Sequence, residues 1–338
     1  MISVDHRPKC LGIDASNIRR GGGVTHLVEL LRAADPSAHG FGQVVVWSGA
    51  KTLDAIEDRP WLVKRHIGQL DQGLLSRTMW QRKSLSRCAR EEGCDLLFVP
   101  GGSFAGDFAP IATLSQNLLP FEWRELWRFG WSLMTAKLLL LRLTQSRTFR
   151  RADGVLFLTR YAEQAVRKVI GTPRGKTAIV PHGIEQRFSL APRPQAPVTA
   201  YSMDKPFRFV YVSIVDVYKH QDTVAKAMAG LRAEGLPVEI SFIGPSYGPA
   251  EKKLRKVLAA VDPDGRFIHC TGPIPYSQVH EQYRNADACV FASSCENLPI
   301  ILLEGMAAGL PIACSDRGPM PEVLKDAGVY FDPEDVQD

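Results

Sequence analysis

The sequence predicts an α/β protein of two doubly wound domains, each built on a parallel sheet with helices on both faces. Short apolar runs rich in β-branched residues alternate with helical segments along the whole 338-residue chain. Strands that are apolar on both faces are typical of parallel sheets buried between helices. A proline-rich stretch without periodicity separates two such sets of strands. The length also favours two domains, at roughly 150 residues for each.

Twelve strands are predicted in chain order, six on each side of the proline-rich stretch. The first six are CLGID, QVVVWS, LLFVP, IATLS, GVLFL and TAIVP, and the second six are FRFVYVS, VEISFIG, RFIHC, ACVFAS, PIACS and GVYF. The predicted domains are therefore an N-terminal domain at 1–190 and a C-terminal domain at 207–338, joined by a linker at 191–206. Ligands of such domains bind at the carboxyl ends of the strands.

The composition is that of a soluble globular protein, with 45% apolar and 23% charged residues. The seven cysteines are odd in number and never spaced as Cys-x-x-Cys, which argues against a disulfide framework and a zinc site. The longest apolar cluster, LLLLRL, is far shorter than the roughly 20 residues that cross a bilayer, and no signal-peptide pattern is present. A reducing cytoplasm is the predicted location.

Positive charge and tryptophan are concentrated in the predicted N-terminal domain. Residues 1–190 carry 27 Lys and Arg against 17 Asp and Glu, whereas 191–338 carry 14 against 19. Trp123, Trp127 and Trp131 are spaced by four and are predicted to share one face of a basic helix. This pattern favours an anionic membrane surface as a partner. The alternative is that the aromatics are core and the arginines a solvated rim; nucleic acid is not supported by any recognition motif.

A glycine-rich loop follows the first predicted strand, in NIRRGGGVTHLVELLRAA. Glycines at a helix start let the backbone approach a ligand, and the first N–H groups of the helix attract an anion such as a diphosphate. The loop is neither Gly-x-Gly-x-x-Gly nor a Walker motif, so a plain flexible turn is the alternative.

Lysine and glutamate side chains follow two strands of the C-terminal domain. Lys219 lies between the strand FRFVYVS and a helix, where its ammonium can neutralise a phosphate, although an ordinary surface lysine is the alternative. Glu296 and Glu304 flank the start of a helix that Pro299 suits. Two carboxylates and a helix N-terminus suit a ligand with hydroxyls and phosphate. The alternative is that Glu296 is a helix N-terminal charge and Glu304 part of a buried structural pair.

The segment SSCENLPIILLEGMAAGLPIACSDRGPMPEVLKDAGVYFDPED resembles the donor-nucleotide region of family 4 retaining glycosyltransferases, with two glutamates at the family's spacing. The resemblance extends to ADGVLFLTRYAEQAV, IVPHGIEQRF, FIGPSYGPAEKKL, the Lys219 loop and the glycine loop, so it covers nearly the whole chain. It implies the GT-B fold, in which two Rossmann-like domains face each other across a cleft.

The resemblance also implies a role for each matching residue. Glu304 corresponds to the glutamate that binds the ribose hydroxyls, and Glu296 to the one that holds donor-sugar hydroxyls near the reacting carbon. Lys219 corresponds to the cation on the diphosphate, and Gly22 and Gly23 to the loop that closes on it from the other domain. Glu296 and Lys219 are thus also the candidate catalytic residues. The remaining predicted donor-binding residues are Ser213, Asn297, Leu298, Pro299 and Ile300.

The chain departs from the family pattern at three places. Ser213 and Ile214 stand where the family commonly has Gly-Arg, so one cation on the phosphates is missing. Gln116 and Asn117 follow the strand IATLS where many members have a histidine near the reacting sugar, which makes them the other two catalytic candidates. The sequence ends at Asp338, before the helices that usually pack back across the cleft.

Taken together, these features predict a retaining glycosyltransferase that transfers a hexose from a nucleotide diphosphate sugar to a glycan or polyprenyl-linked glycan acceptor in cell-surface polysaccharide synthesis. No metal cofactor is expected, because Asp-x-Asp is absent and the eight histidines do not pair at ligand spacing. The predicted location is the cytoplasm, peripheral on the inner face of the membrane. The alternatives are a nucleotide-sugar epimerase or hydrolase of the same fold, and a catalytically weak nucleotide-sugar-binding homologue.

Overall fold

The chain divides into two compact units in the computed structural model, which describes residues 7–19, 21–191 and 194–338. The first unit comprises Met1–Phe121 and Ala136–Pro181, and the second comprises Glu122–Thr135 and His182–Asp338. These units differ from the predicted domains in two segments. Residues 122–135, predicted to lie in the N-terminal domain, belong to the second unit, and the second unit resumes at 182 rather than after a linker.

The first unit contains a seven-stranded parallel sheet in the order β3-β2-β1-β4-β5-β6-β7. Its strands are β1 (Lys9–Asp14), β2 (Phe41–Ser48), β3 (Leu62–His66), β4 (Leu96–Val99), β5 (Ile111–Leu114), β6 (Gly154–Phe157) and β7 (Lys176–Ile179). The helices that connect these strands are α1 (Gly22–Ala33), α2 (Ala50–Asp54), α3 (Gly68–Asp71), α4 (Leu74–Trp80), α5 (Ser86–Glu91), α7 (Leu133–Arg151) and α8 (Arg160–Ile170). A π-helical turn at Gln81–Leu85 joins α4 to α5.

The second unit contains a six-stranded parallel sheet in the order β10-β9-β8-β11-β12-β13. Its strands are β8 (Phe207–Val212), β9 (Val238–Ile243), β10 (Ile268–Gly272), β11 (Ala288–Phe291), β12 (Ile312–Ser315) and β13 (Val329–Phe331). Its helices are α6 (Trp123–Trp127), α9 (Gln221–Ala233), α10 (Gly248–Val261), α11 (Val279–Asn285), α12 (Ile300–Ala307) and α13 (Met320–Leu324). The prediction of two doubly wound α/β domains is confirmed.

All twelve predicted strands are present, and those inside the sheets are apolar runs that are largely buried on both faces. In β2, for example, Val44, Val45 and Val46 are all buried although consecutive side chains point to opposite faces. The sequence analysis missed β3, which pairs only with β2 at the edge of the sheet. Its sequence LVKRH is half polar, because an edge strand need not be apolar on both faces.

Trp123, Trp127 and Trp131 were predicted to share one face of a helix, and this prediction is wrong for Trp131, which lies outside the helices. The segment forms α6 and α7, separated by a turn in which Gly130 has a φ of 59°. The rings of Trp123, Trp127 and Trp131 still contact one another edge to face, with centroids 5.8 Å and 5.2 Å apart. Trp123 is 52% and Trp131 is 95% exposed, so these two rings are not core residues.

Candidate functional site

Two loops at the carboxyl edge of the second sheet carry the predicted lysine and one predicted glutamate. β8 and β11 are neighbours in this sheet. The chain leaves β8 toward β9 on one side and leaves β11 toward β12 on the other, so the loops that follow these strands diverge. Such a topological switch point is where open α/β sheets bind ligands. Lys219 lies in the loop after β8 and Glu296 in the loop after β11, so both lie at this point.

Lys219, which is buried, forms an ion pair with the partly buried Glu296. The Lys219 Nζ atom also lies 5.1 Å from the centroid of the Phe291 ring and 5.3 Å from that of Tyr218. Ser293 Oγ donates a hydrogen bond to Glu296 Oε1 at 2.6 Å. The carboxylate and the electron-rich ring faces offset the cost of desolvating the ammonium group. A concentrated positive charge and an acceptor oxygen are therefore held side by side.

Glu304 is buried on α12 and is held by two tyrosine hydroxyls. Tyr276 Oη donates to Oε1 at 2.8 Å, and Tyr283 Oη lies 3.2 Å from Oε2. Burial raises the pKa of Glu304 to about 7, although the two tyrosine hydrogen bonds and the nearby Arg187 lower it. The Arg187 guanidinium lies 4.5 Å from the centroid of the Tyr276 ring. The predicted ribose ligand is therefore a carboxyl group with fixed orientation.

The residues between the two glutamates form a tight turn into α12. Asn297 and Leu298 are buried, and the Ile300 amide donates to the Leu298 carbonyl at 2.9 Å. Pro299 immediately precedes the helix, which begins at Ile300. The turn thus directs the start of α12 to the edge of the sheet at which Glu296 lies.

Ser213 lies at the end of β8, where the family's glycine was expected. It is buried, and its amide donates to the Ile243 carbonyl at 2.8 Å. The backbone of Gly244 approaches so closely that a Cβ atom there would lie 2.2 Å from the Ser213 carbonyl oxygen. The following Ile214 is partly exposed, so an apolar side chain occupies the position of the missing cation.

The other predicted residues lie in the first unit. Gly22 and Gly23 form the first turn of α1, after Gly21, whose φ is 68°. A Cβ atom at Gly23 would lie 3.8 Å from Gln116 Oε1, so the glycine turn and the Gln116 side chain are neighbours. Gln116 Nε2 is buried and has no hydrogen-bond partner among the described residues. Asn117 Oδ1 instead accepts a hydrogen bond from the Leu119 amide at 3.1 Å.

Sequence reasoning missed the two tyrosines that hold Glu304. Tyr276 precedes α11 and Tyr283 lies within it, seven residues apart in PYSQVHEQYRN. Seven residues are close to two helical turns, so this spacing places both rings on one side. That periodicity is a usable signal, but their shared partner in α12 is visible only in the fold.

No group of three or more His, Cys, Asp or Glu side chains is arranged to hold a metal ion within residues 7–19, 21–191 and 194–338. Within the same described ranges, no helix has both the length and the apolarity needed to cross a bilayer.

The fold defines a class of protein, the two-domain α/β proteins of GT-B architecture. Two family models match the chain: "Glycosyltransferase Family 4" over residues 20–188 and "Glycosyl transferases group 1" over residues 200–338. The chain belongs to the family 4 glycosyltransferases. The resemblance identified in the sequence is thereby confirmed.

Two curated relatives that the chain resembles share less than 30% sequence identity with it over the matched residues. The chain is 27% identical over 221 residues to the GDP-mannose-dependent alpha-(1-6)-phosphatidylinositol monomannoside mannosyltransferase of Mycolicibacterium smegmatis, covering 61% of this chain and 55% of the relative. It is 26% identical over 166 residues to the amylovoran biosynthesis glycosyltransferase AmsK of Erwinia amylovora, covering 46% and 38%. The matches to the first curated relatives span less than half of those proteins.

A solved structure with a similar fold is that of Anabaena HepE in complex with UDP-glucose. It superposes with a TM-score of 0.65 at 13% identity, covering 97% of this chain and 86% of that one. At this identity the likeness is one of fold.

Proposed function

We propose that this protein is a retaining glycosyltransferase that transfers a hexose from a nucleotide diphosphate sugar to a glycan or lipid-linked glycan acceptor. The observation that carries the proposal is the cluster at the carboxyl edge of the second sheet. There Lys219 and Glu296 form an ion pair between the loops that follow two adjacent strands, and Glu304 lies on the helix that comes next. A cation and two carboxylates match the phosphates, sugar hydroxyls and ribose hydroxyls of one donor molecule.

The ribose is assigned to Glu304. A ribose diol donates two hydrogen bonds, and a carboxylate accepts them in a bidentate arrangement. Tyr276 and Tyr283 already donate to the same carboxyl group, so its orientation is set before the nucleotide binds. Pre-orientation reduces the entropic cost of binding.

The reacting end of the donor is assigned to Lys219 and Glu296. The Lys219 ammonium stabilises the negative charge that develops on the departing diphosphate, and Glu296 accepts hydrogen bonds from the sugar. The acceptor then attacks the face of the sugar from which the diphosphate leaves, which gives retention. Catalysis rests on positioning and charge stabilisation by these side chains, without a metal ion.

The named relatives favour a glycan or glycolipid acceptor, because one acts on a phosphatidylinositol monomannoside and another in amylovoran biosynthesis. The surface of the first unit suits an acceptor at an anionic bilayer on the cytoplasmic side. On α7, Leu140 and Leu143 are 55% and 70% exposed, between the exposed cations Lys137 and Arg147. Apolar and basic side chains on one helical face bind at such a surface.

A thermal-shift screen with UDP-, GDP- and ADP-sugars tests the donor assignment, because a ligand that binds only the native state raises its melting temperature. The donor that stabilises the protein is then incubated with and without extracted membrane lipids. The proposal expects sugar transfer only with the lipids. Conversion of the donor without lipids would favour an epimerase or hydrolase, and tight binding without any conversion would favour a weak binding homologue.

A further inference from the structure

A buried carboxylate on α6 contacts the loop after β11, one of the two loops of the proposed donor site. Glu125 is buried, and its Oε2 atom accepts a hydrogen bond from Ser294 Oγ at 2.6 Å. The same oxygen atom lies 2.6 Å from Arg128 Nε, and Arg128 in turn pairs with Glu334 at 2.9 Å. All of these residues belong to the second unit. The charge of Glu125 is therefore compensated on one side by Arg128 and directed on the other side at Ser294.

Ser294 joins the two loops to each other. Its amide donates to the Tyr218 carbonyl at 2.8 Å, and its Oγ atom lies 2.9 Å from His220 Nε2. Tyr218 and His220 flank Lys219, and Ser294 precedes Glu296 by two residues. Ser294 thus connects the loop that carries Glu296 to the two residues on either side of Lys219.

The hydrogen atoms in this chain of bonds have a defined direction. A serine hydroxyl has one hydrogen, and the Glu125 carboxylate is its strongest nearby acceptor. The Ser294 oxygen must then accept from His220, which assigns the hydrogen of the neutral imidazole to Nε2. Burial, together with the charge of Arg128, lowers the pKa of His220 to about 4, so the ring is neutral at pH 7.

His220 adopts a backbone conformation that needs such support. Its φ of 51° lies in the left-handed region, which is unfavourable for a residue with a Cβ atom. The bond from its ring to Ser294 fixes this conformation at the residue that follows Lys219. If the bond were lost, the loop could relax toward an ordinary backbone conformation and displace the ammonium group.

We propose that Glu125 is a positioning residue that fixes the loops carrying Lys219 and Glu296. It acts through Ser294 and His220 and does not touch the donor. The inference rests on the proposed function, because it concerns the same donor site. It adds a contribution from α6, a helix that precedes the second unit's sheet in the chain by about 80 residues.

The test compares the affinities for a nucleoside diphosphate and the matching nucleoside monophosphate. UDP, GDP and ADP are first titrated into the wild-type protein by calorimetry, and the best ligand and its monophosphate are kept as probes. The monophosphate retains the ribose, which Glu304 binds through contacts outside this network. The ratio of the two dissociation constants therefore reports on Lys219, whereas general unfolding weakens both probes alike.

Glu125→Ala and Ser294→Ala are expected to weaken diphosphate binding about tenfold, because each removes the hydrogen bond between Ser294 and the charged Glu125 carboxylate. Monophosphate binding should stay unchanged. Glu125→Gln should weaken diphosphate binding less than Glu125→Ala does, since its amide oxygen can still accept a hydrogen bond from Ser294. Arg255→Gln is the control, because Arg255 is an exposed residue of the second unit whose ion pair with Glu251 lies outside this network.

An unchanged diphosphate-to-monophosphate ratio in a folded Ser294→Ala protein would overturn the inference, and this small substitution keeps the test available if Glu125→Ala fails to fold. A parallel loss of both affinities would also overturn it, because it would indicate general destabilisation. Absence of binding to any of the three diphosphates by the wild-type protein would instead refute the proposed function.

Discussion

The ionisation of Glu304 gives a stability prediction that does not depend on any ligand. Burial raises the pKa of its carboxyl group from 4.5 to about 7 in the native state. In the unfolded chain the pKa returns to its ordinary value, so the native state holds the proton more tightly between these two pH values. The free energy of unfolding must then fall as the pH rises through this window.

The size of the effect follows from the width of the window. The difference between the native and unfolded pKa values of Glu304 corresponds to about 3 kcal/mol of unfolding free energy, at 1.36 kcal/mol for each pKa unit. This contribution is fully present below the unfolded pKa and is lost once the pH exceeds the native value. Glu304→Gln does not titrate, and its amide can keep hydrogen bonds to both tyrosines because a hydroxyl group can donate or accept. The stability of Glu304→Gln relative to wild type should therefore rise by about 3 kcal/mol from pH 4.5 to pH 8.

Calorimetric melting of both proteins between pH 5 and pH 8 measures this trend. For a unit of this size the expected change in the difference between melting temperatures is roughly 6–12 °C. Glu251→Gln is the control, because hydrogen bonds from Ser246 and Arg255 lower the pKa of that exposed carboxyl group. If the stability of Glu304→Gln relative to wild type did not change with pH, or fell as the pH rose from 5 to 8, the reasoning would be refuted.

Three further predictions concern the donor, the metal and the membrane. Glu296→Gln should lower sugar transfer about 100-fold by misplacing the sugar, with a smaller loss of nucleotide affinity in a titration; a loss confined to nucleotide affinity would contradict the assignment. Transfer should persist after treatment with EDTA, and abolition that Mg²⁺ or Mn²⁺ reverses would show that a metal is required. Replacing Leu140 and Leu143 by serine should reduce sedimentation with anionic liposomes at least about tenfold, given roughly 1.5–3 kcal/mol for burying one leucine. The exposed Leu236 of the second unit is the control position, and equal losses there would count against the α7 face.

The sequence predicts most of the strands because they are largely apolar runs. Strands such as ACVF are buried at every residue in β11, so hydrophobicity alone locates them. β3 escapes this signal because an edge strand tolerates Lys64 and Arg65. Lys219 and Glu296 lie in adjacent loops because β8 and β11 are neighbours in the sheet, and this pairing is visible only in the fold.

Long-range polar contacts could not be predicted in the same way. Ser294 lies 169 residues after Glu125, and neither residue stands in a pattern that indicates the other. The assignment of α6 to the second unit depends on such contacts. The tryptophan spacing alone does not show which unit the helix packs against, so α6 was predicted to lie in the N-terminal domain. Gly130 interrupts that helix by adopting a positive φ, which an isolated glycine permits but does not require.

The central claim is that the second unit binds a nucleotide whose ribose contacts Glu304. Calorimetry with the preferred nucleoside diphosphate and its 2′,3′-dideoxy analogue tests it most directly, in wild type and in Glu304→Ala. Hydrogen bonds to a charged group contribute about 1.5–3 kcal/mol, so wild type should bind the parent nucleotide roughly 10–100-fold more tightly than the analogue. Glu304→Ala should bind the two ligands equally. The same preference for the parent nucleotide in both proteins would contradict the claim.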